Sequence, residues 1–146
     1  MDIEKAHKDT QGLLKSYDSL IQSIMEELEP DMIELNKSQL LQGKNAVGGQ
    51  MPEYANNPRY LRLKRRVGSK SLPNMDYKLT GKFHESFKAK TDKIGTEIFA
   101  TDFKKKFLEK RVAGEELYGV TDENIDKLVD KAADLLEQKI RKALRI

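Results

Sequence analysis

Apolar residues return every three or four positions from Asp9 to Glu29, at Leu13, Leu14, Tyr17, Leu20, Ile21, Ile24, Met25 and Leu28. That spacing lays a single apolar stripe along a helix. Pro30 is expected to interrupt it, and Pro30-Asp31 to open a shorter second helix, because proline suits a first helical turn. The inner face of this second helix would carry Met32, Ile33, Asn36, Leu40 and Leu41, with Gly43 as its stop. Gly, Asn and Pro dominate "GKNAVGGQMPEYANNP", which predicts an irregular loop. "PRYLRLKRRVGSK" then predicts a short basic helix that opens at Pro58 and ends near Gly68.

The period changes after a second loop, "SKSLPNMD". Phe83, Glu85, Phe87 and Ala89 alternate with His84, Ser86, Lys88 and Lys90, which is the pattern of a strand. Thr80-Gly81 reads as the corner that feeds it. A second run brings Ile94, Thr96, Ile98 and Phe99, with a polar tip near Thr91-Asp92-Lys93 between the two. A β-hairpin over about 82–101 follows from this arrangement. A lone hairpin is barely stable in water, so it must pack on the helices or join a larger sheet. Asp102 is expected to cap a short basic helix with Phe103, Phe107 and Leu108 facing inward. "VAGEELYGV" reads as a turn-like connector, including a solvated Glu115-Glu116 pair. The last helix spans about 121–144, with Thr121 at its N-cap and Asp122 and Glu123 where the helix dipole favours anions. Ile125, Leu128, Val129, Ala132, Leu135, Leu136, Ile140, Ala143 and Leu144 form its stripe.

These elements predict one α+β domain over residues 1–146. Long N- and C-terminal amphipathic helices pack on a small antiparallel sheet containing the hairpin. The parts are a helical segment of about 9–42, a loop and basic helix of about 43–70, the hairpin and the C-terminal helix. A chain of 146 residues can bury a core without staples.

Charge changes the picture more than composition does. The net charge is +3, but residues 1–35 carry three Lys and nine acids, a net of −6. Residues 36–111 carry eighteen Lys/Arg and seven acids, a net of +11, and residues 112–146 carry six and eight, a net of −2. A basic middle between acidic ends suits an anionic partner, or acidic surfaces of identical subunits. With no cysteine, disulfides, thiolate zinc sites and a cysteine nucleophile are excluded. No apolar run approaches a membrane span, and the polar start "MDIEKAHKDT" does not read as a secretory signal.

The catalytic case is thin. "LTGKF" places a glycine before a lysine, but a P-loop needs glycine where Asp76 stands and Ser or Thr where Phe83 stands. His84 and Ser86 share the predicted polar strand face, with no orienting carboxylate to name. His84 therefore reads as a solvated side chain. No H-E-x-x-H or comparable metal spacing occurs. No cofactor, metal or small-molecule substrate is expected. The candidate contacts are cations: Arg59, Arg62, Lys64, Arg65, Arg66 and Lys70, then Lys88, Lys90 and Lys93 near the hairpin tip. Tyr60 could stack on a base, and Lys104, Lys105, Lys106, Lys110 and Arg111 could extend the patch. A small nucleic-acid-binding accessory protein is one reading of this cluster, without a complete helix-turn-helix, zinc-finger or RNA-recognition signature.

The order of motifs suggests another. "NKSQLLQGKNAVGGQMPEY", "YLRLKRRVG", "LPNMDYKLTGKFHESF", "IFATDFKKKFL" and "LYGVTDENIDKL" follow one another along the chain. This order resembles small structural proteins of tailed bacteriophages and prophages, of the head–tail joining, neck, tail-completion and tail-terminator kind. Thr80, Gly81, Phe83 and Ser86 match the family's strand-introducing step. The acidic N-terminal helix has no counterpart in the pattern. The resemblance implies a non-enzymatic virion component, made in the host cytoplasm and assembled as a ring with other neck or tail proteins. The cations would then meet DNA non-specifically or an acidic neighbour.

Overall fold

The computed structural model describes residues 3–145. In chain order its elements are α1 (Ile3–Lys15), α2 (Tyr17–Leu41), α3 (Pro58–Arg66), α4 (Lys82–Glu85), β1 (Phe87–Thr91), β2 (Thr96–Ala100), α5 (Lys105–Leu108), α6 (Gly114–Leu117) and α7 (Asp122–Leu144). The fold is α+β, with long terminal helices and one two-stranded antiparallel sheet among the described residues.

The long stripes find each other. Ile24, Leu28 and Met32 of α2 pack with Leu128 of α7, flanked by Leu20, Leu135 and Leu136. Burying side chains of this size contributes roughly 1.5–3 kcal/mol each. Lys131 bonds Asp31 at 2.7 Å, and Lys139 reaches Glu27 and Ser23. Contacts that run backwards along α2 as they run forwards along α7 make the pair antiparallel. Near the start of α7, the buried Gln39 side chain accepts from the Thr121 amide (2.9 Å) and the Asn124 side chain (2.8 Å). Thr121 stands at the N-cap position, but its own side chain makes no capping bond there. Gln39 supplies the acceptor from another helix, and Asn36 donates its side-chain amide to the Leu117 carbonyl at 3.1 Å.

The predicted break in the N-terminal helical segment moves. Pro30 does not interrupt α2, which runs through it for 25 residues. The buried anchors on either side, Leu28 and Met32, outweigh the one backbone bond that proline cannot make. The break falls instead at Ser16, whose hydroxyl bonds the carbonyls of Gly12 and Leu13 and so competes with the helix. α1 buries none of its residues, so Leu14 and Tyr17, expected on the inner stripe, are exposed.

The hairpin is shorter than predicted, and its first residues are helical. Residues 82–85 form one turn, opened by Gly81 at φ +89°, a conformation that glycine adopts without strain. Phe83 and Phe87 are buried edge-to-face at 5.2 Å. Residues four apart share a side both in a strand and in a helix, so this pair satisfied either period. The pairing that remains runs from Phe87↔Ala100 to Thr91↔Thr96. The β1 edge is covered by α2, where Glu29 accepts the Thr91 amide at 2.8 Å. Phe87 and Ala100 join Leu40, Met51, Met75, Phe83, Val112 and Leu117 in a second core, and Ile98 packs against both cores.

Phe103 and Phe107 do not face inward. They are 75% and 54% exposed, because α5 is a single turn in which Leu108, followed by buried Val112, takes the inner positions. Asp102 accepts the Lys104 amide at 2.7 Å, but it is not the cap: α5 starts at Lys105, Lys104 holds the N-cap position, and no side chain caps the helix.

Candidate functional site

α3 begins where the sequence predicts. Asn57 caps it through bonds to the amides of Arg59 and Tyr60 at 3.1 and 3.2 Å. Helical spacing then sorts its cations. Arg59, Arg62, Arg65 and Arg66 are exposed, as is Lys70 just beyond the helix. None of these five forms an ion pair among the described residues. Leu63 and Val67 lie among them, 41% and 46% exposed.

Lys64 is different and leaves the candidate surface. Its side chain is fully buried and bonded to the Asp76 carboxylate and the Lys78 carbonyl, 5.0 Å from the centre of the Tyr54 ring. Asp76 also accepts from Tyr54 Oη (2.8 Å), Ser69 Oγ (2.7 Å) and the Lys78 amide (2.9 Å). Burial opposes its charge, but these donors, Lys64 first, hold the Asp76 carboxyl below the usual carboxylate range. The same burial pushes the Tyr54 hydroxyl well up. A buried ion pair of this kind, with its lone pairs satisfied, ties α3 to the 69–78 segment. Sequence reasoning missed it, although a signal was present. Asp76 is the single acid among eight cations between Tyr54 and His84, so one of those cations had a predictable partner.

His84 is buried rather than solvated. Its ring stacks on Phe87 at 5.7 Å and 11°, and Nε2 bonds the Asp76 carbonyl at 2.7 Å. A carbonyl can only accept, so Nε2 carries the hydrogen. Nδ1 is then an acceptor, and it has no partner. Burial lowers the pKa of this histidine, against the pull of Asp76. Ser86 bonds the Phe83 carbonyl at 2.7 Å, so the Ser–His pairing considered from sequence does not form.

The hairpin cations stand on another support. Lys88 and Lys90 are exposed on β1, and Lys93 is exposed at the tip. The tip is ordered by Asp92, which accepts the amides of Ile94 (2.7 Å) and Gly95 (3.1 Å). The hairpin packs on α2, whereas α3 is tied to the 69–78 segment.

A second surface was not anticipated. Between α2, β2 and α7 lies an open cleft of about 860 Å³. Its walls are mainly apolar, including Met32, Ile98, Tyr118 and Leu128. Ile125 and Val129 front it and stay 43% and 58% exposed. Glu97, Glu109 and Glu115 line it with a single cation, Lys105. The stripe of α7 is therefore wider than the helix's own contacts within the chain. Spacing alone reports the stripe, not which part of it is covered.

Among the described residues, no helix is long and apolar enough to cross a membrane, and no group of three or more His, Asp or Glu is placed to hold a metal. Compared with known protein families, with curated proteins and with solved structures, the chain matches none.

Proposed function

We propose that this chain is a non-enzymatic structural subunit of a tailed bacteriophage, at the head–tail junction or tail end, and that it assembles as a ring. The observation that carries the assembly role is the open cleft between α2, β2 and α7. Contiguous uncovered apolar surface with a polar rim is what interaction sites expose. Phe107 on α5 and Phe103 in the turn before it add uncovered aromatic surface, of the residue type enriched at interfaces. The phage placement rests on the resemblance of the "LPNMDYKLTGKFHESF" and "LYGVTDENIDKL" segments. In the fold these segments bring in the hairpin and open α7.

The unpaired arginines of α3 favour a second reading, a nucleic-acid-binding accessory protein. One experiment separates the two. Native mass is measured by light scattering at low and moderate salt, beside a titration with duplex DNA. The chain is then sought by peptide mass spectrometry in purified particles of the phage or prophage that encodes it. A discrete oligomer with weak DNA binding, present in particles, is the expected result. A monomer absent from particles would overturn the proposal. If that monomer binds DNA with a log–log salt slope of about −3 to −4, as four phosphate contacts would give, the second reading replaces it.

A further inference from the structure

The two uncovered surfaces fit each other in chemistry. The outer face of α3 is a short apolar ridge, Leu63 and Val67, set among Arg59, Arg62 and Arg66. The cleft is an apolar trough with Glu97, Glu109 and Glu115 along it. Glu109 has Lys105 at 3.9 Å. Glu97 and Glu115 are exposed and form no ion pair among the described residues, although Glu97 sits opposite Lys90 in the hairpin register. One surface is thus apolar with unpaired cations, and the other is apolar with unpaired anions. Neither is satisfied among the described residues.

We infer that α3 of one copy docks in the α2–β2–α7 cleft of a second copy, with Arg62 and Arg66 facing Glu97 and Glu115. This rests on the proposed assembly role and names the contact that would perform it. The occupant is a second copy because the complementary face is carried by the same chain. Two different patches meeting in this way form a heterologous contact, which closes as a ring when the rotation between copies closes. The buried Lys64–Asp76 pair gives the ridge its rigidity, since it fixes α3 before any partner arrives. Leu63 and Val67 would supply apolar contact, and the arginines orientation and selectivity, because charges across an interface set register more than affinity.

Charge reversal on each side tests this contact. Arg62→Glu with Arg66→Glu blocks the ridge, and Glu97→Lys with Glu115→Lys blocks the cleft. Each double variant alone is expected to shift from the wild-type oligomer to monomer mass in light scattering. Mixing the two is expected to restore assembly. The acidic ridge of one then meets the basic cleft of the other, and the two wild-type faces meet as before. Restoration also shows that both variants fold. Loss in each variant without recovery on mixing would overturn the docking pair. So would variants that assemble like the wild type, which would leave the assembly role standing on other surfaces. A wild-type chain that stays monomeric across the concentration range would overturn the self-docking inference, while its presence or absence in particles judges the phage role separately.

Discussion

Lys64 shows why residue type alone misassigns a surface. It belongs by sequence to a run of cations, yet its side chain is fully buried against Asp76. Removing one partner of such a pair strands the other charge, at a cost of about 3–5 kcal/mol. Lys64→Met is therefore expected to lower the unfolding free energy by that amount in urea titrations, whereas Arg62→Met should stay within about 0.5 kcal/mol. Equal midpoints for the two variants would show that the pair does not form. His84 predicts a pH effect. Burial holds its folded pKa below the unfolded value of about 6.5, so the unfolded chain takes up the extra proton. Stability from this group is full above about pH 6.5 and falls as pH drops toward the folded pKa. Protonation would also place a donor on Nδ1, which has no acceptor. Asp76, also depressed in the fold, adds a second loss in more acid solution, below about pH 4. His84→Phe, measured by denaturant unfolding between pH 5 and 7, is expected to lower stability overall but remove the slope. A slope that persists would belong to another group.

At the scale of elements, tertiary contacts overrode local preference in α2, while local backbone geometry decided the 82–85 turn. α2 carries Pro30 in its interior, at a local cost of up to about 3 kcal/mol relative to alanine. Pro30 is exposed, so its ring is not needed for packing. Pro30→Ala is expected to stabilise the chain by about 1–3 kcal/mol, read as a higher midpoint in thermal unfolding. A lower midpoint would mean that the helix needs a bend there. The 82–85 turn has a local cause. Phe83 and Phe87 pack together whichever period the chain adopts, and Gly81, at φ +89°, starts a helical turn instead of a strand. α3 is the contrary example. Asn57 and Pro58 set its start locally, so its position was legible without any tertiary information.

At the scale of the whole molecule, the chain segregates its charge and leaves two surfaces uncovered. The acidic first segment supplies α2, and α2 spends two of its acids on α7 through Asp31–Lys131 and Glu27–Lys139. The basic middle finds few acids of its own, and among the described residues the α3 arginines form no ion pair. An assembling subunit is expected to keep such surplus for a neighbour. The sequence by itself determined the α+β class, both amphipathic terminal helices, the hairpin and the start of α3. These follow from period, capping and turn residues, which act within a few positions of each other. Only the tertiary structure decided that Lys64 and His84 are buried and that Pro30 is passed over. It alone decided that α1, Phe103 and Phe107 stay outside the core, and that α7 leaves part of its stripe open beside β2. Each of these depends on which distant segment covers a given side chain, and a periodic stripe says that a face wants covering without saying what will cover it.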